Sequence, residues 1–173
     1  MKRAAAWLWG GHTAFGLVVA IVTCLADQAS KLWLLYGFEL GARGVVKVMP
    51  TIDFVLTWNT GISYGLFQSE GAFGQAVLLA IKVGAVALLW AWLSQVQTRL
   101  SALALGLIIG GAVGNAIDRL AHGAVVDFVL FHITTGTFTF NWYVFNLADA
   151  AIVAGVIGLL YESLRPGHAA KAP

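Results

Sequence analysis

Apolar residues along this chain fall into four long blocks, about residues 6–26, 72–93, 100–117 and 143–160. Each approaches the roughly 20 residues that a helix needs to cross a bilayer core. The second and third blocks are separated only by a short polar turn at 94–99, whereas the other two connections are long. Within them, 45–58 and 125–145 are rich in Val, Ile, Thr, Phe, Tyr and Trp and are punctuated by Gly, Pro and Asn, which predicts strands and turns. With four spans both long connections lie on one side of the membrane. The predicted fold is therefore a membrane all-α bundle of four transmembrane helices with a small extracytoplasmic β-rich platform, in one domain covering residues 1–173. Trp58, Tyr64, Trp142 and Tyr143 suit the headgroup belt beneath that platform.

Composition sharpens this picture. The chain is 60% hydrophobic and only 10% charged, with a mean hydropathy of +0.83, whereas soluble domains carry about 25% charged residues. Its 173 residues leave no room for a separate catalytic domain beside the bundle. A net charge of +2 without any basic run argues against a nucleic-acid partner and fits contact with anionic membrane lipids. The lone Cys24 cannot form an internal disulfide. Lys2 and Arg3 ahead of an apolar run ending at Cys24 imitate a lipoprotein signal, but Thr23 replaces the usual small residue and the remainder is membrane-like.

Charge placement gives an orientation. Lys2, Arg3, Arg99, Arg165 and Lys171 flank the terminal side, against Lys31, Arg43, Lys47 and Arg119 on the platform side. Lys31 and Arg119 adjoin acids and can be reserved for a site, so both termini are expected in the cytoplasm. Every acid except Glu162 then faces the outer side. Lys82 and Gln75 lie inside the second block, where an ionisable side chain needs a buried partner or a function.

Four polar clusters mark the platform-side ends of the apolar blocks: Asp27 to Lys31 (D-Q-A-S-K), Asn59 to Gly61 (N-T-G), Gly110 to Arg119 (G-G-A-V-G-N-A-I-D-R) and Phe145 to Asp149 (F-N-L-A-D). Such groups are expensive at membrane depth unless they are paired, so convergence on one site is the simplest account of them. Asp27 and Lys31 share a helix face at i and i+4, as Asn115 with Asp118 and Asn146 with Asp149 do at i and i+3. Asp118 precedes Arg119, which predicts a structural ion pair tying the helix end to the platform. Asp127, within V-V-D-F, and Asp149 have no basic residue close in sequence. Two such carboxyls in a dry cleft would share one proton, which is the chemistry of aspartyl peptide hydrolysis.

Other readings compete with this one. Asp149 could merely cap the fourth helix and Asp127 end a strand. Gly61 to Gly65 matches G-x-S-x-G around Ser63, but lacks the strand–turn–helix of a large α/β sheet that motif needs, and the later His122 and His132 fall in the outer connection. His122, Asp118 and Asp127 could hold a metal, without an H-E-x-x-H pattern to support it. Gly106, Gly110, Gly111 and Gly114 are expected to serve close helix packing. A small proton-coupled transporter or channel could use Asp27, Lys31, Asp118 and Asp149 as a relay. It would need ionisable groups throughout the bilayer depth, whereas only Lys82 lies mid-span. A structural membrane subunit would tolerate Asp-to-Asn changes.

In order, spacing and layout these clusters, over roughly residues 8–162, resemble the signal peptidase II family of bacterial lipoprotein signal peptidases. The resemblance implies a multi-pass enzyme of the bacterial cytoplasmic (inner) membrane with its site near the outer face. Such an enzyme removes the signal peptide of diacylglyceryl-modified prolipoproteins just before the lipidated cysteine. It implies no metal or cofactor, and inhibition by the peptide antibiotic globomycin; a monomer is expected. Carried over by position, Asp127 and Asp149 are the catalytic pair. Asp27, Lys31, Asn59, Gly61, Asn115, Asp118, Arg119, Asn146 and Ala148 surround or support it. Ile62 and Ala150 depart mildly from the family pattern, which bears on pocket shape rather than on the reaction.

Overall fold

The computed structural model describes residues 8–60 and 84–165. Helix α1, Thr13–Leu32, begins after Gly10 and Gly11, and the Gly10 amide donates to Thr13 Oγ1 at 2.8 Å. It runs past the predicted end at residue 26, because Asp27 and Lys31 are neutralised within the fold instead of terminating the apolar stretch. A π-helical turn, Trp33–Gly37, and a short helix α2, Leu40–Arg43, lead to the sheet.

The two strand-rich connections meet in one antiparallel sheet of order β1-β2-β3-β4. Its strands are β1, Val46–Met49; β2, Ile52–Asn59; β3, Val125–Thr135; and β4, Phe138–Phe145. The predicted platform is therefore present as a single unit. A register shift between Phe54 and Thr57 of β2 precedes the pairing of Thr57 with Asp127 and of Asn59 with Val125. Such irregularities re-aim side chains near strand ends.

An apolar helix α3, described over Gly84–Leu93, precedes helix α4, Arg99–His122. Thr98 caps α4 by accepting from the Ser101 amide at 3.1 Å, and Gly123 ends it in the left-handed region at φ 72°. Helix α5, Leu147–Ser163, starts later than the predicted residue 143 because Tyr143 to Phe145 complete β4 and Asn146 supplies the N-cap.

Helix α4 lies between α1 and α5 and packs extensively against both. A Cβ on Gly106 would stand 2.6 Å from the Gly16 carbonyl oxygen of α1, and one on Gly111 would stand 2.5 Å from the Ala148 carbonyl oxygen of α5. The glycines thus allow backbone-to-backbone approach on two sides, as the spacing predicted. One apolar cluster, including Ala20, Leu93, Ala102, Leu105 and Ile109, fills the bundle. Another, Leu34, Leu40, Val126 and Phe128, joins the sheet to the extension of α1. At the far end, the Thr98 and Ser101 hydroxyls donate to buried Glu162 and tie α4 to α5.

The outward faces remain apolar: Val18, Ile21, Val22 and Leu25 on α1 and Val153, Val156, Ile157 and Leu160 on α5 are exposed. A continuous apolar exterior suits lipid rather than water. Among the described residues two helical segments, Thr13–Gly37 and Arg99–His122, are long and apolar enough to cross a bilayer. Part of the predicted 72–93 span lies outside the described residues, as do Lys2, Arg3, Gly61, Ser63, Tyr64, Gln75, Lys82 and Lys171.

Candidate active site

The site forms where the lower ends of α1 and α4, the start of α5 and strand β3 meet. Its inner layer is ionic. Lys31 Nζ lies 2.7 Å from Asp27 Oδ2, 2.8 Å from Asp118 Oδ2 and 3.0 Å from Asn115 Oδ1, so its three ammonium protons meet three acceptors. Lys31, Asp27 and Asp118 are all buried, with exposures of 2%, 0% and 3%. Burial on that scale is tolerable for charges only when they are paired and hydrogen-bonded.

Both inner carboxylates also grip the backbone. Asp27 Oδ1 accepts from the Ala148 amide at 3.0 Å, and Asp118 Oδ2 accepts from the Val126 amide at 3.0 Å. Gln28 Nε2 joins them, its two N–H groups shared among Asp118 Oδ1 at 2.8 Å, the Gly114 carbonyl at 3.1 Å and Asp27 Oδ2 at 3.3 Å. Gly114 is glycine for a local reason, since a Cβ there would stand 2.6 Å from Asp27 Oδ2.

The outer layer holds Asp127 and Asp149 among amides. Asp127 Oδ2 accepts from Asn59 Nδ2 at 3.0 Å and Oδ1 from Asn146 Nδ2 at 2.6 Å. Asp149 Oδ1 accepts from Asn115 Nδ2 at 2.8 Å and Oδ2 from the Asn146 amide at 3.2 Å, while Asn146 Oδ1 accepts from the Asp149 amide at 3.0 Å. Asn146 and Asp149 are therefore a reciprocal capping box opening α5, and Asn146 is hydrogen-bonded to both carboxyls. Asn115 bridges the layers, because its Oδ1 also accepts from Asn146 Nδ2 at 3.1 Å. Asp127 is buried and Asp149 is half-buried. Burial pushes the Asp127 carboxyl up to about 6, helped by the nearby charge of Asp149 and opposed by the Asn59 and Asn146 hydrogen bonds and by Lys31.

The structure brings together Asp27, Lys31, Asn59, Asn115, Asp118, Asn146, Ala148, Asp127 and Asp149. Arg119 Nη1 donates to the Asn115 carbonyl at 3.2 Å and lies within electrostatic range of Asp118, Asp127 and Asp149. Gly61 falls outside the described residues. Two expectations change. The ion pair of Asp118 is with Lys31 of α1, and its tie to the sheet runs through the Val126 amide. Asn115 orients Asp149 and Lys31 instead of its i+3 neighbour Asp118. His122 packs edge-on against Trp58 at 5.4 Å between ring centroids, in an aromatic contact rather than with Asp118 and Asp127 around a metal.

The signal peptidase (SPase) II family model matches residues 19–165. A lipoprotein signal peptidase of Nitrobacter hamburgensis is 63% identical over 158 residues, covering 91% of this chain and 96% of that protein. The chain belongs to the signal peptidase II family. A lipoprotein signal peptidase of Rhodopseudomonas palustris (strain TIE-1) is 57% identical over the same shares of both chains. The fold is also similar, at a TM-score of 0.70 and 24% identity, to a bacterial membrane enzyme solved by the in meso method at 2.3 Å resolution, covering 92% of this chain and 93% of that one. The chain is thus a peptidase of that family, with helices that carry a small antiparallel sheet in a fold shared with a solved bacterial membrane enzyme.

Gln28 and Gly114 are the members of the peptidase's site that residue-type reasoning passed over. Gln28 stands inside the first cluster, next to Asp27, so the signal for it was adjacency alone. Gly114 carried the same small-residue signal as the packing glycines above it. Chemically, the Asp127 carboxyl can hold or release a proton near neutral pH, whereas both inner carboxylates are paired with Lys31.

Proposed function

We propose that the chain is an aspartyl endopeptidase that removes the signal peptide of diacylglyceryl-modified prolipoproteins, cutting before the lipidated cysteine with water activated by Asp127 and Asp149. One observation carries this reading: Asn146 hydrogen-bonds both carboxyls, Asp127 through its side chain at 2.6 Å and Asp149 through its backbone at 3.2 Å. Two acids from a strand and a helix are so joined at one residue, in a chain whose relatives are named lipoprotein signal peptidases.

The pair holds one proton, and its apparent pKa values belong to both groups. The ionised carboxyl takes a proton from water as the water oxygen adds to the scissile carbonyl carbon. The protonated carboxyl gives its proton to the carbonyl oxygen. The tetrahedral intermediate then collapses: the C–N bond breaks, the leaving amine takes a proton from one carboxyl, and a hydroxyl of the diol returns its proton to the other as the carbonyl re-forms, so the pair again holds one proton. Asn59, Asn115 and Asn146 orient the carboxyls by neutral hydrogen bonds. Asp27, Lys31, Asp118, Arg119 and Ala148 support them, and Gly61 follows Asn59 closely in sequence.

The enzyme works as a monomer with four membrane spans, both termini in the cytoplasm and the sheet at the outer face, where a signal helix presents its lipidated end. Apolar outward faces of α1 and α5 support contact with lipid. The test is a reconstituted assay with a lipidated precursor, comparing wild type with Asp127→Asn and Asp149→Asn, with and without globomycin. Wild type should cleave and be blocked by globomycin, and both variants should fold and fail to cleave. Turnover by either folded variant would overturn the reading.

A further inference from the structure

We propose that Gln28 is a positioning residue for hydrolysis: with Lys31 it locks Asp27 to Asp118, and these carboxylates hold the amides of the residues just before the two catalytic aspartates. The inference rests on the dyad reading above.

The geometry has a two-fold logic. Val126 precedes Asp127 on β3, and its N–H donates to Asp118. Ala148 precedes Asp149 on α5, and its N–H donates to Asp27. Each reactive carboxyl is therefore displaced by one peptide unit from a backbone group that a buried carboxylate grips. Those two carboxylates come from different helices, α1 and α4, and two side chains bridge them: Lys31 at 2.7 and 2.8 Å, and Gln28 at 3.3 and 2.8 Å.

Strand β3 and helix α5 are tied directly by Asn146 at the head of α5, which donates to Asp127 Oδ1 at 2.6 Å and to the Val126 carbonyl at 3.3 Å. The bridge between Asp27 and Asp118 fixes the same spacing from behind, through the amides of Val126 and Ala148. Lys31 provides the charge. Gln28 provides direction, because its planar amide reaches one carboxylate oxygen of each and is itself oriented by the Gly114 carbonyl at 3.1 Å. Gln28 touches neither Asp127 nor Asp149 through the bonds described, so it acts only through the backbone.

The test separates positioning from folding. Removing Lys31 strands two buried carboxylates and risks an unfolded protein, so Gln28→Met, which keeps length and loses the amide, is the variant of choice. In the reconstituted peptidase with a diacylglyceryl-modified precursor, kcat should fall roughly tenfold to a hundredfold, since a shift of about 1 Å in a catalytic group costs that much. KM should stay within about twofold, because no substrate contact is lost.

The bell-shaped pH profile should also narrow. As the carboxyls part, their repulsion weakens and the two apparent pKa values of the pair approach each other. The charged groups facing Asp127 are Asp149 from α5, Lys31 from α1 and Arg119 from α4, and none of these is altered by the variant. A generally destabilised enzyme would lose amplitude with both limbs in place. Gln28→Glu, which adds a negative charge between Asp27 and Asp118, should lose more activity than Gln28→Met.

Unchanged kcat and limbs in Gln28→Met would overturn the inference, and so would a loss confined to KM or an amplitude loss matched by the folded fraction. If Gln28→Met does not fold, Gln28→Asn, which withdraws the amide by one methylene, is judged by the same criteria. Residual cleavage by folded Asp127→Asn or Asp149→Asn would sink the dyad reading, whereas inactive Asp variants beside an unaffected Gln28→Met would sink only this one.

Discussion

Two layers of carboxylates lie within one site and are treated in opposite ways. Asp27 and Asp118 share an ammonium group, Lys31, and are buried by helix packing. Asp127 and Asp149 instead receive amide donors from Asn59, Asn115 and Asn146. An ammonium group in contact balances the charge of a buried carboxylate, while a neutral amide orients a carboxyl without cancelling its charge. In the proposed mechanism the same side-chain type serves as scaffold or as reagent according to its donor.

This contrast can be broken at several points. The largest effect is expected from Asp127→Asn or Asp149→Asn, which should lower prolipoprotein cleavage by at least about a thousandfold, the scale of losing an essential acid or base. Single-turnover assays on folded protein check this. Lys31→Met should cost about 3–5 kcal/mol by leaving inner charges uncompensated. Adding Asp27→Asn and Asp118→Asn to it should restore part of that stability, measured by thermal unfolding in detergent.

The outer layer has its own signature in acid. With Asp127 held at about 6 in the folded chain and at about 3.9 when unfolded, the native state keeps a proton that the unfolded state has released. The contribution of Asp127 to stability is therefore fully present below pH of about 4 and is lost as pH rises through about 6, by at most a few kcal/mol. Tm against pH should show that slope in wild type and lose it in Asp127→Asn. Asn59→Leu removes a bond that favours the ionised form, so the acid limb of kcat should move to higher pH by about 1 unit. The smallest effect belongs outside both layers: Gly123→Ala, at φ 72° in open space, should cost about 1 kcal/mol with cleavage unaltered per folded molecule.

Local spacing made part of this site legible. Asp27 with Lys31 and Asn146 with Asp149 lie one helical turn apart, and their contacts follow from that alone. The strand composition of both long connections likewise announced a shared sheet. Partners set by packing were hidden. Asp118 sits beside Arg119 in sequence yet bonds to Lys31 from another helix, since α4 presents it towards α1. Asn115 bypasses its own i+3 neighbour for the same reason. The extent of α1 was misjudged because charge in an apolar run looks like an ending until a partner arrives from α4.

The glycine contacts of α4 restrict how this enzyme can change. Gly110 abuts α1 and Gly111 abuts α5 with only backbone-scale gaps, so enlargement on either flank would push whole helices apart. Sequence change along α4 is therefore confined to the positions between these seams, and the two flanks tolerate only the smallest side chains.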